Sequence, residues 1–122
     1  MASDSIAARC SHEARHAREA RGLVLEEARS VLRRTTSVAK RVLGSSNAVT
    51  LKMRWAYART FYMDAGATLD DLRESVTTLE EIEPSARRVL GGTHPLTMGI
   101  GHALRERARA ALRARETPPG TR

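Results

Sequence analysis

At 122 residues the chain has the length of one domain and can bury about two-thirds of its unfolded surface. Arginine (19 residues, against two lysines) and alanine dominate, and the aromatics are only Trp55, Tyr57, Phe61 and Tyr62, so an all-α fold with an aliphatic core is expected. The net charge of +7 divides into +4 over 1–44, +2 over 45–67, −3 over 68–91 and +4 over 92–122, no single basic face for nucleic acid; a lone cysteine, Cys10, excludes an intramolecular disulfide, and no apolar run nears the roughly 20 residues of a membrane span.

The first expected element is a helix over Asp4–Arg21, with Ile6, Cys10, Ala14 and Ala17 on one side. The N-terminus lacks the apolar stretch of a secretory signal and carries Asp4, so a reducing, cytoplasmic setting is expected. Cys10 reads as a small buried residue and not as a nucleophile. His12-Glu13-Ala14-Arg15-His16 spells H-E-x-x-H, which on a helix could set two zinc ligands and a glutamate base on one face. A third ligand at a family spacing is absent, and Arg15 places a cation beside the would-be dication. The expectation is therefore no metal site and no peptidase.

Gly22 is a weak breaker, so this helix can run into the next. That second stretch places Leu25, Ala28, Leu32, Thr35, Ala39 and Val42 at steps of three and four, one apolar stripe ended by Gly44. Asn47 suits the N-cap of a helix over about 48–63. There Lys52, Trp55, Arg59 and Tyr62 share a face. Two cations beside two flat aromatics fit a groove that takes a peptide or protein with acidic groups. The competing reading makes Trp55 and Tyr62 core and the cations solvated.

MDAGAT, Met63 to Thr68, reads as a turn. A further helix follows, with Leu69, Leu72, Val76, Leu79, Ala86 and Leu90 as its stripe, Thr68 and Asp71 as its start and Gly91 as its stop. Pro84 lies inside it and predicts a kink or break near Glu80 to Pro84. Pro95 opens a last helix over about 95–115. Its row Arg105, Arg109, Arg113 reads as the polar outer face of a capping helix, with phosphate contact as the sharper alternative. No aromatic side chain interleaves that row. The tail, 117–122, is expected to be disordered.

Sliding the chain by 47 residues lays RVLGSSNAVT (Arg41–Thr50) on RVLGGTHPLT (Arg88–Thr97), Leu25 on Leu72, Leu32 on Leu79 and Ala39 on Ala86. Self-similarity at a fixed period marks a helical repeat. Leu90-Gly91-Gly92-Thr93-His94-Pro95, with Thr97 after it, resembles the junction of tetratricopeptide-like repeats of the kinesin light chain type. Leu43-Gly44-Ser45-Ser46-Asn47-Ala48 is its degraded copy, Ala58 stands where the first helix needs a small residue, and Leu79 where the second needs a large one. The likeness covers about 23–115. It departs in a longer period through Met63 to Asp71, in Ser75 for an expected alanine, and in Pro84.

The resemblance implies stacked antiparallel helix pairs that bind proteins or peptides in a groove lined by first helices. It carries over no catalytic residue and no cofactor. The expected architecture is thus a short all-α solenoid of about two repeats in one domain, 1–116, with repeat-like units about 23–69 and 70–115. The expected function is non-enzymatic protein–protein recognition through Lys52, Trp55, Arg59 and Tyr62. The alternative is an Arg-rich bundle on nucleic acid or another anionic surface. Two repeats fall short of the about three usually needed for stability. The chain is therefore expected to belong to a longer array, to self-associate or to need a partner.

Overall fold

A computed structural model describes residues 2–117, and the side chains of 12–117 except 18 and 21. Ile6, Cys10 and the segment 118–122, to which expectations were attached above, lie outside the described side chains or residues. The described chain is all-helical and has no strand. Helix α1 is Ala2–Leu43, α2 is Ala48–Tyr62, α3 is Leu69–Leu90 and α4 is Pro95–His102. A π-helical segment, Ala103–Ala108, continues α4 into α5, Arg109–Glu116. The connections are four to six residues long, so consecutive helices return antiparallel. Helix α2 packs on both α1 and α3, and α3 also packs on α4, the π segment and α5. Among the described residues no helix is long and apolar enough to cross a membrane.

The two junctions are built alike. Gly44 and Gly91 adopt φ of 91° and 92°, a region that disfavours any side chain. Their amides donate to the carbonyls of Lys40 and Arg87, each at 3.0 Å, and close the preceding helix. Three residues on, Asn47 Oδ1 accepts from the Val49 amide at 2.9 Å. His94 Nδ1 accepts from the Leu96 amide at 3.0 Å. The histidine therefore does the capping work of its asparagine counterpart, with Pro95 set behind it at the first helical position. Thr50 and Thr97, the last residues of the two copies, are both buried, and neither hydroxyl has a hydrogen-bond partner among the described residues.

The core is aliphatic. Leu51 and Ala58 of α2, Val76, Leu79, Ile82 and Ala86 of α3, Leu96 and Ile100 of α4, and Ala103, Leu104 and Ala108 of the π segment form one cluster. The α2–α3 crossing is close because small residues meet there: Ser75 Oγ donates to the Ala58 carbonyl at 3.0 Å, and both residues are fully buried. The serine in place of alanine thus finds an acceptor for its hydroxyl on α2. At the head of α3, Thr68 and Asp71 form a reciprocal capping box with both bonds at 3.1 Å.

Two expectations need correction. Pro84 does not break α3, which runs unbroken from Leu69 to Leu90. Pro84 and Glu80, whose carbonyl loses its amide partner, are both exposed, so water can take that carbonyl. The neighbours Ile82 and Ala86 are fully buried and hold the helix by packing. In α1 the stripe drifts. Leu25, Ala28, Leu32 and Ala39 are partly or wholly buried as expected, but Thr35 and Val42 are exposed and Thr36 is buried in place of Thr35. A stripe of steps three and four averages 3.5 residues, whereas the helix turns every 3.6. The face on α2 therefore follows Leu25, Arg29, Leu32, Thr36 and Ala39. Gly22 does not interrupt α1, and nothing lies within 4 Å of where its side chain would be.

Candidate functional site

A groove of about 520 Å³ opens where α2 meets the middle of α1 and the start of α4. Its lining is Leu25, Lys52, Trp55, Ala56, Arg59, Thr60, Met63 and Leu96. Three of the four residues singled out on the helical face thus line one cavity. Lys52 and Arg59 are exposed, and among the described residues neither has an ion-pair partner. The rim is therefore cationic over an apolar floor, a layout that suits an acidic group beside an apolar side chain.

Tyr62 is not in the lining. It is half-buried against the core, and its hydroxyl accepts from Trp55 Nε1 at 3.2 Å. The tyrosine stands behind the tryptophan and fixes its ring instead of meeting a ligand. Trp55 is itself only half-buried and packs on the core edge. Its ring crosses α4 at Gly99, where an added Cβ would come within 2.6 Å of Cη2. The glycine thus makes room for the indole, and the groove wall depends on a residue 44 positions along the chain. Leu25 and Leu96 were missed because they come from two other helices, and only packing brings them to α2, whereas Met63 caps α2 itself, four residues after Arg59.

The loop below the groove is tied from both sides. Arg29 donates to Asp64 Oδ2 at 2.7 Å, to the Thr60 carbonyl at 2.8 Å and to the Thr60 hydroxyl at 3.2 Å, and it stacks over Phe61 at 4.5 Å. The arginine and Asp64 are both largely buried. From the other end of the chain, Arg115 donates to the carbonyls of Ala65 and Ala67, at 2.7 Å for the latter. The turn from Met63 to Thr68 is thus held by two arginines, one in α1 and one in α5. Beyond it, Tyr57 accepts from Arg33 at 3.5 Å and donates to Glu74 at 3.1 Å. The hydrogen bond that Arg33 donates to Tyr57, and then the charge interaction between the two, raise the pKa of Arg33 above its ordinary value, which leaves the guanidinium charged as before.

The other candidates fall apart spatially. His12 and His16 do share a face, with Nε2 atoms 3.0 Å apart. Among the described residues no group of three or more His, Cys, Asp or Glu could hold a metal ion. In the arginine row, Arg105 and Arg113 are exposed and Arg109 is half-buried. Arg105 lies alongside Gly101, where an added Cβ would meet its guanidinium at 3.1 Å.

A second open cleft, of about 510 Å³, is lined by Glu26, Glu27, Arg29, Ser30, Arg33, Phe61, Asp71 and Glu74. Acidic groups predominate there, so the two clefts beside α1 differ in sign. No family model, no curated protein and no solved structure matches this chain, so the fold and the groove are read from its own residues.

Proposed function

We propose that this chain is a non-enzymatic interaction module, a short tetratricopeptide-like stack of helix pairs that holds a peptide in the α2 groove. The observation that carries the reading is the pairing of Lys52 and Arg59, without partners of their own, with the apolar floor of Leu25, Trp55, Met63 and Leu96. The repeated junctions at Gly44–Asn47 and Gly91–His94 support the stack. The partner that fits is a segment with one or two carboxylates next to a large apolar side chain. An exposed cation alone contributes little, but beside a desolvating apolar surface it selects against like charge and speeds encounter.

Trp55 is the sole tryptophan, so its fluorescence reads the groove directly. Peptides alternating Leu and Glu are expected to shift its emission in a saturable way, and Leu/Lys counterparts are expected not to. The variant carrying Lys52→Glu and Arg59→Glu is expected to lose the response to the acidic series by about tenfold or more in affinity. Equal responses to both series, or no change in the double variant, would sink the assignment. Binding of the same chain to DNA that persists at physiological salt would favour the anionic-surface alternative instead.

A further inference from the structure

Helix α1 carries a second apolar face that is exposed among the described residues. Val24, Ala28, Val31, Thr35, Val38 and Val42 follow steps of four and three, the spacing of a helix-pairing seam. The four valines are 65%, 53%, 46% and 69% exposed. Toward the N-terminus the same spacing runs through Arg21 to Ala17 and Ala14, and both alanines are exposed. Thr35 brings no unsatisfied group to the seam, since its hydroxyl donates to the Val31 carbonyl at 2.7 Å. The face lies about a quarter turn from the side that rests on α2, so the seam is open while the body is packed.

The copy relationship says what such a face is for. Shifted by 47 residues, Ala28 falls on Ser75, which is buried against Ala58 of α2. Thr35 falls on Ile82, also fully buried, and Val31 and Val38 fall on half-buried Thr78 and Ser85. In α3 the middle of this face is therefore buried or half-buried, with half-buried Asp71 and exposed Val89 at its ends, while in α1 all four valines of the face are exposed. The N-terminal part of α1 is equally unsupported: every described side chain from His12 to Ala20 is exposed. A helical arm without tertiary contacts is marginal by itself.

We propose that the occupant is a second copy of this chain, with the two α1 helices antiparallel about a two-fold axis near residues 29 and 30. This register sets Ala28 opposite Val31 of the second copy, small against large, and Val24 opposite its near-isosteric Thr35. Ala17 then lies over Val42 of the second copy, which brings the arm onto its partner. The charges decide for self-pairing. On the solvent side of the seam stand Glu27 and Arg34, neither with an ion-pair partner among the described residues. The two-fold register places Glu27 beside Arg34 of the second copy, twice. The register one heptad away would instead set Glu27 against Glu27. An isologous interface of this kind needs only one patch that complements itself. The proposal is independent of the α2 groove, since it uses a different face and different residues.

Sedimentation velocity of the full chain at rising concentration tests it. The wild type is expected to be a dimer in the micromolar range. Val24→Glu with Val31→Glu is expected to weaken the dimer by about a hundredfold or more, because charges would enter the two central apolar layers. Both sites are exposed in the single chain, so the packed body is expected to keep its unfolding transition, with any fall in helix content by circular dichroism confined to the N-terminal arm. Glu27→Arg alone is expected to weaken the dimer by about tenfold, and Glu27→Arg with Arg34→Glu to restore it. A wild type that stays monomeric at high micromolar concentration would overturn the proposal and leave the face to a different protein. A dimer indifferent to the valine pair would overturn the interface, and a charge swap that fails to restore would overturn the register.

Discussion

Helices α1 and α3 are copies in sequence, yet they stand in opposite situations. Leu25, Leu32 and Ala39 of α1 align with Leu72, Leu79 and Ala86 of α3. The α3 residues are buried at 2%, 0% and 0%. Of the α1 residues only Ala39 is buried, and both leucines are half-exposed. The same apolar spacing thus gives a central helix when neighbours lie on two sides and a half-covered one when only α2 is present. A stripe states what a helix can bury; its neighbours decide how much it does bury. Position 29 sharpens the contrast. Where α3 has Val76 in the core, α1 has Arg29, which reaches over Phe61 to tie Thr60 and Asp64. The outer helix contributes a clamp where the inner one contributes packing.

Substitutions can break or sharpen that contrast, measured by chemical denaturation under one set of conditions. The largest effect is expected at Leu79→Ala, at about 2–5 kcal/mol, because the cavity opens in a fully buried site. Its counterpart Leu32→Ala is expected to cost much less, about 1 kcal/mol, since that side chain is already half in water. Equal losses at the two sites would remove the distinction between inner and outer helix. Next comes Arg29→Ala, at about 2 kcal/mol, which strips Asp64 of its partner in a largely buried place. Arg29→Lys is expected to recover only part, as a lysine cannot serve both Thr60 and Asp64 from one planar fork.

The junctions should show likeness where the helices show difference. Asn47→Ala and His94→Ala are each expected to lose about 1 kcal/mol, and His94→Asn to lose almost nothing. A full loss in His94→Asn would show that the histidine does more than cap. The smallest effects are expected at Thr50→Val and Thr97→Val. Both hydroxyls are buried without a partner, so replacing each with a methyl is expected to be neutral or to stabilise by about 1 kcal/mol. A clear destabilisation would reveal a hydrogen bond at that position.

Much of the helical layout was legible because its signals are local. Thr68 with Asp71, Asn47, Gly44 and Gly91 act within four residues of themselves, and the structure uses each where the spacing predicts. Pro84 misled for the converse reason. Its cost is local, but Ile82 and Ala86 offset it by contacts made elsewhere in the fold. The groove was half legible. Lys52, Trp55 and Arg59 share a face by helical spacing alone, while the place of Tyr62 behind Trp55 and the gap at Gly99 follow from how α4 lies across α2.

The helical content, the starts of α2, α3 and α4, the stops at Gly44 and Gly91 and the twofold occurrence of one helix–junction–helix pattern all follow from residues close together along the chain, because capping bonds and the 3.6-residue period act over short distances. Only the tertiary structure decided which of two apolar faces of α1 meets α2, which residues from three segments wall the groove, and which arginines hold the long turn. Those outcomes depend on the order in which helices stack, and a helix with apolar residues on two sides does not record in its own spacing which side its neighbour will take.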